Sequence, residues 1–328
     1  MYRYYVKNMQ WIELSVGTTE EAVDWVCTLL TQAKYSGDVR IAKYNGLNSK
    51  LNQPESEWAF KICLYLADDI HANTIIDKID DLLSPLQRTG MSSNLQVAVV
   101  EEKPDSAAKV NHLHRIGKRF VILSPDNDYI PDTSEEIVIK LETSLAFGSG
   151  LHPATILSMK LLERHVLPEM NILDLGSGSG ILSVAIAKLG ANVLAIDNDQ
   201  VAVQATQDAV DRNGVEKLVK VMEGSLGHGS TLGHWMGGDT IDKVRAIEAQ
   251  HNFDLIVANI FARIHISLAS DYQQALRQNS EHGGILIAAG FTSDYEEAIT
   301  TTFSENGFTK IDCEKLDDWM AIAYRIIK

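Results

Sequence analysis

Apolar and polar positions alternate along Trp11-Ile12-Glu13-Leu14-Ser15-Val16 as they do on a half-buried strand, and Thr18 and Thr19 then stand where a helix over 20–30 would be capped. Two more strand-like runs, 38–44 and 57–66, flank a connection rich in Asn, Gly, Ser and Pro. A helix over about 72–83 and a strand over 95–100 complete the order β-α-β-β-α-β, the ferredoxin-like split unit. Residues 101–132 hold Pro104, Pro125 and Pro131, a helical patch at 106–113 and one clear strand, 119–123. From Glu136 onward short apolar strands alternate with helices: strands at 136–141, 171–175, 191–197, 218–222, 253–260 and 284–290, with helices over 155–165, 181–189, 200–213 and 240–250. The runs 308–315 and 319–326 are close enough to form a hairpin. This pattern predicts a ferredoxin-like α+β domain over 1–101, a linker over 102–135, and an α/β domain with a Rossmann-like sheet over 136–328.

Composition narrows the classes. A chain of 328 residues with 45% hydrophobic content can build two cores without staples. Cys27, Cys63 and Cys313 are scattered and offer no disulfide framework, which suits a reducing, cytoplasmic compartment. No apolar run approaches the ~20 residues of a membrane span. The net charge of −15 argues against binding a phosphate backbone and suits a basic partner. His112 and His114 face apart on a helix, and His228, His234 and His251 fit no ligand spacing, so no metal is expected. His112, His114, Arg115, Lys118 and Arg119 form a local basic cluster that reads first as a solvated turn, with a substrate-contacting patch as the alternative.

The candidate chemistry lies in Asp174-Leu175-Gly176-Ser177-Gly178-Ser179-Gly180, a strand end running through a glycine-rich turn into a helix. Such a turn is expected to bring bare backbone N–H groups and the positive end of the helix up to a ligand. Asp197 ends the next strand about 20 residues on, where a ribose-binding carboxylate belongs. The dinucleotide pattern G-x-G-x-x-G fails because Ile181 occupies its last glycine position, and Asp174 suits a ligand carrying an ammonium group better than a pyrophosphate. Upstream, Ala146-Phe147-Gly148-Ser149-Gly150-Leu151-His152-Pro153-Ala154-Thr155 is a second glycine-rich loop opening on a helix, with Thr155 placed to cap that helix or to reach an anionic group. Asn259 ends a strand aimed at the same crevice, and Glu223-Gly224-Ser225 ends another. The polar stretch 226–238 reads as a surface insertion or lid.

The D-x-G-x-G-x-G run with its strand-end acid resembles motifs I and II of class I S-adenosylmethionine-dependent methyltransferases. Residues 146–155, 172–180, 194–199 and 257–262 together resemble the ribosomal protein L11 methyltransferase (PrmA-like) family, from Met9 to the C-terminus. The resemblance implies a Rossmann-like class I methyltransferase sheet with an antiparallel last strand. It implies S-adenosylmethionine contacts at Phe147, Thr155, Asp174, Gly176, Gly178, Asp197 and Asn259, with Asn259 also catalytic. It further implies a monomeric protein-lysine or N-terminal amine methyltransferase, acting on ribosomal protein L11 held by the N-terminal domain, with no nucleic acid or membrane partner. Departures gather on the substrate side: Glu142-Thr143-Ser144 stands for D-P-G, Ala154 for a threonine, and Lys103 and Ala107 for tryptophans. The residues by themselves also fit a methyltransferase of another substrate, or a cofactor-binding interaction protein without catalysis.

Overall fold

The structure, a computed structural model, describes residues 11–19, 22–23, 26, 29–30, 39–43, 58–67, 71–100, 113–123, 127–141, 152–227, 245–248, 250–278 and 283–327. The chain divides into two compact units, one formed by 1–110 with 145–147 and the other by 111–144 with 148–328. Among the described residues no helix is long and apolar enough to cross a membrane.

In the first unit β1 (Trp11–Thr18), β2 (Val39–Lys43), β3 (Phe60–Ala67) and β4 (Gln96–Val100) form one sheet in the order β2-β3-β1-β4. Every neighbouring pair is antiparallel, and the order places β3 and β1 in the centre. The helix predicted over 20–30 falls only partly among the described residues, of which Ala22, Val26, Leu29 and Leu30 are buried. Helix α1 (Ala72–Arg88) runs five residues beyond its predicted end and through Pro85. It continues because Ile79, Leu83 and Leu86 share one buried face, and because Thr89 recloses the end, its hydroxyl donating to the carbonyls of Pro85 at 3.0 Å and Leu86 at 3.1 Å.

The second unit opens with a three-stranded sheet of β5 (Leu113–Ile116), β6 (Phe120–Leu123) and β7 (Ile137–Lys140). The basic cluster predicted as a solvated turn is thus half strand. Its Arg115 is absorbed by hydrogen-bonded ion pairs to Glu136 and Asp132 and by the Tyr129 hydroxyl. The segment 111–135, expected within a linker, groups with the larger unit, since β6 pairs in parallel with β7.

The main sheet contains β8 (Asn171–Leu175), β9 (Asn192–Asp197), β10 (Val219–Glu223), β13 (Leu255–Asn259), β14 (Ile285–Thr292), β15 (Phe308–Leu316) and β16 (Trp319–Ile326). Their order is β10-β9-β8-β13-β14-β16-β15, parallel from β10 to β14, with β16 antiparallel to both its neighbours. Helices cover both faces. Helices α2 (Pro153–His165), α3 (Ile181–Lys188) and α4 (Gln200–Asn213) pack on the face of Ile172, Val193, Leu255 and Ile287. Helices α5 (Ala262–Ser267), α6 (Ala269–Ala275) and α7 (Glu296–Glu305) cover the face of Leu173, Ile196, Ile256 and Leu286. Burial on both sides explains why these strands read as unbroken apolar runs rather than alternating ones.

The helix predicted over 240–250 is contradicted where the residues are described. Ala246–Ile247 forms a short strand, β12, paired in parallel with β11 (Ser225–Leu226), and the Ser225 N–H donates to the Arg245 carbonyl at 3.1 Å. The free edge of β11 supplies backbone partners that outweigh a weak helical periodicity.

Ile256 lies at the sheet centre with no exposure, whereas Leu167 is 60% exposed. Ile256→Ala should cost ~2–5 kcal/mol in urea unfolding, and Leu167→Ala less than ~0.5 kcal/mol. Equal small effects would show that the sheet core is not where stability resides.

Candidate active site

Strands β8 and β13 are neighbours although their connections leave in opposite directions, so a crevice opens beyond their carboxyl ends. The glycine turn fills its floor. Gly176, Gly178 and Gly180 have φ of 76°, 55° and 78°, the left-handed region that other residues rarely adopt. A Cβ on Gly176 would come within 2.8 Å of Ile260 Cγ2, and one on Gly180 within 2.9 Å of Thr206 Cα. Gly176 and Gly180 therefore let the segment that follows β13 and helix α4 close against the turn.

The expectation of bare N–H groups is overturned. The amides of Gly176 and Ser177 both donate to the Ile196 carbonyl at 2.9 and 3.1 Å, Gly178 N–H donates to Asp197 Oδ2 at 3.0 Å, and Gly180 N–H to the Ser177 carbonyl at 2.8 Å. From α4 the Thr206 hydroxyl donates to the Gly178 carbonyl at 3.0 Å, 2.9 Å from the Ser177 hydroxyl. The turn is braced internally and offers a shape, since the amides of Gly176, Ser177, Gly178 and Gly180 are already used.

Asp174 is wholly buried in β8. Its Oδ2 accepts the Ser183 hydroxyl of α3 at 2.6 Å, while Oδ1 has no hydrogen-bond partner. Burial pushes its carboxyl up to about 7; the nearby Asp197 charge adds to that, and the Ser183 hydroxyl opposes it. A buried carboxylate oxygen without a donor is costly, and a ligand ammonium would supply both a donor and a countercharge. Asp197 is half-buried at the end of β9, each oxygen accepting one backbone N–H at 3.0 Å, from Gly178 and Asp199. Burial raises it to about 6 against those hydrogen bonds. Each oxygen keeps a lone pair with which to accept a ribose hydroxyl. At the end of β10, Glu223 receives the Gln200 side-chain amide at 3.1 Å.

Thr155 is buried in the first turn of α2, and its hydroxyl oxygen accepts Asn259 Nδ2 at 3.3 Å. The structure thus joins two candidates 104 residues apart. Thr155 does not cap the helix. His152 does, its Nδ1 accepting the Ala154 N–H at 3.2 Å with Pro153 following, while its ring meets Trp319 edge to face at 4.4 Å. Phe147, with the rest of 142–151, lies outside the described residues, as do His228 and His234.

Gly290 was not singled out by the sequence. It sits at φ 91° in β14 where the register with β16 shifts, and a Cβ there would lie 2.6 Å from the Ile260 carbonyl oxygen and 2.9 Å from Asn259 Oδ1. A lone glycine inside the apolar run 285–291 was the available signal of a bulge or close approach.

Three features fit S-adenosylmethionine: the orphaned Asp174 oxygen for an ammonium, the tight glycine turn, and the strand-end carboxylate for a ribose. A family model described as Ribosomal protein L11 methyltransferase (PrmA) matches residues 10–326. The ribosomal protein L11 methyltransferase of Herpetosiphon aurantiacus is 36% identical over 324 residues, 97% of this chain and 99% of that protein. That of Chloroflexus aurantiacus is 35% identical over 333 residues, 98% of this chain and 99% of the relative. Among solved structures, the ribosomal protein L11 methylase of Lactobacillus delbrueckii subsp. bulgaricus is 27% identical with a TM-score of 0.50, covering 66% of this chain and all of that one.

Because the Asp174 carboxyl is raised from 3.8 to about 7 in the fold, the folded state binds more protons than the unfolded between those values. Stability from this group is therefore present at low pH and lost as pH rises through 7. In the ligand-free protein, Asp174→Asn should gain on wild type by ~1–3 kcal/mol more at pH 8 than at pH 5 in urea unfolding. A pH-independent difference would remove the buried charge as the cause.

Proposed function

The chain belongs to the ribosomal protein L11 methyltransferase (PrmA) family, and on that premise we propose that it transfers methyl groups from S-adenosylmethionine to amino groups of ribosomal protein L11, on lysine side chains or the N-terminal amine. The observation that carries the reaction is the Asn259–Thr155 pair at the ends of β13 and α2, next to the glycine turn. Residues 1–101 hold the protein substrate, and the unit that begins at 111 carries the chemistry over 136–328. The enzyme works as a cytoplasmic monomer, without nucleic acid or membrane. Its net charge of −15 favours a basic protein partner.

Bound S-adenosylmethionine supplies a methyl group already activated on a sulfonium. Asp174 Oδ1 takes the ammonium, Asp197 the ribose hydroxyls, and Gly176 and Gly178 allow close approach of the backbone; Phe147 belongs to the same set. What remains for the protein is positioning and exclusion of water. A lysine amine has a pKa of about 10.4 in water and attacks only when neutral. A low-dielectric pocket beside positive charge lowers that value. With Asn259 Nδ2 engaged by Thr155, its Oδ1 is left to accept an N–H of the amine and orient the lone pair.

Asp197→Ala should weaken S-adenosylmethionine binding by more than ~1 kcal/mol in calorimetry, the loss of a hydrogen bond to a charged group. Unchanged affinity would remove Asp197 from the site. Radiolabelled methyl should pass from S-adenosylmethionine to purified L11, and Asn259→Ala should slow that transfer ~100-fold. No label, with cofactor binding intact, would move the substrate to another protein.

A further inference from the structure

His265 of α5 stands behind the strand end that carries Asn259 and has no exposure. Both its ring nitrogens are satisfied, as burial requires. Nε2 lies 2.9 Å from the Ala289 carbonyl oxygen and Nδ1 3.2 Å from the Tyr272 hydroxyl. A carbonyl only accepts, so Nε2 carries the proton; Nδ1 is then the acceptor, and Tyr272 donates. Burial pushes the histidine down to about 4, against the carbonyls of Ala289 and Ile260, so the ring is neutral and held in one tautomer.

The Ala289 carbonyl has a second donor, the Ile260 N–H at 3.0 Å. The next residue, Gly290, is the bulge whose missing Cβ admits the Ile260 backbone and Asn259 Oδ1. One carbonyl therefore anchors both the peptide that follows Asn259 and the histidine ring. Phe291 and Phe303 meet the ring edge to face at 5.7 and 6.4 Å, a pocket an apolar ring would fill equally well. What the imidazole adds is the donor at Ala289 and the link to Tyr272.

We propose that His265 is a positioning residue for methyl transfer: its Nε2–H, backed by Tyr272, fixes the Ala289–Gly290 bulge and so holds the Asn259–Ile260 peptide with the Asn259 amide turned to the attacking amine. This rests on the role given to Asn259 above.

Three replacements in the full-length enzyme test it. His265→Gln keeps a donor near the Nε2 position, His265→Asn moves it to the Nδ1 position, and His265→Phe keeps the ring and removes both nitrogens. The readouts are kcat on L11, KM, S-adenosylmethionine affinity, and hydrogen exchange of the Ile260 amide. With Gln, kcat stays within ~3-fold of wild type; with Asn and Phe it falls ~10- to 100-fold while KM and cofactor affinity move less than ~3-fold. The Ile260 amide exchanges ~10-fold faster in the Asn and Phe variants than in wild type or Gln. Should His265→Phe not fold, the Gln and Asn pair decides. Asn259→Ala and its double with His265→Asn are measured alongside, and the double is no slower than Asn259→Ala alone if His265 acts through Asn259. Loss in Asn259→Ala with full kcat and unchanged exchange in His265→Asn overturns the proposal alone, as do additive losses in the double. Wild-type turnover in Asn259→Ala overturns the role of Asn259 and the proposal with it.

Discussion

Val257 stands opposite Asp174, and Ala258 opposite Leu175, where β13 runs parallel to β8. A slip of β13 by one residue would turn its side chains to the opposite helix layers and draw Asn259 away from the glycine turn. The pairing therefore sets where the orphaned carboxylate, the turn and the amide converge. Ile260 continues the alignment, its side chain lying over the bare Cα of Gly176. On the other side of β13, β14 meets the same strand end with its bulge, so the Asn259–Ile260 peptide is held between two glycines.

This architecture concentrates cost in a few groups. Asp174 and Asp197 are both raised by burial, and the charge of Asp197 adds to the burden on Asp174. Such an arrangement is retained where a ligand supplies the missing countercharge. The burden is carried by a fold whose sheet is packed with apolar side chains on both faces.

Much of the larger unit was legible because its signals are local. Glycines mark the turn, continuous apolar runs mark buried strands, and the closely spaced final runs mark the antiparallel hairpin. What could not be read was direction. The N–H groups of 176–178 are the same in sequence whether they face a ligand or the Ile196 carbonyl and Asp197, and only the backbone path turns them inward. His152 looked like part of a loop because histidine is an uncommon N-cap, which left Thr155 as the apparent cap. Residues 246–247 became strand through a partner at 225–226 that no local pattern announces. His265 and Gly290 act through neighbours distant along the chain, so their types alone carried no signal.

Strand β16 lies between β14 and β15, antiparallel to both. Strand β15 precedes it in sequence yet reaches the sheet only through it. During synthesis β14 consequently keeps an open edge until Trp319–Ile326 have left the ribosome, and the edge of Phe291 and Thr292 awaits Met320 and Trp319. The ring that packs on His152 belongs to this same late strand. Without Trp319–Ile326 the glycine turn and both acidic strand ends would still be in place, but β14 would keep a bare edge and β15 would have no strand to join, so one strand closes the sheet and attaches its rim.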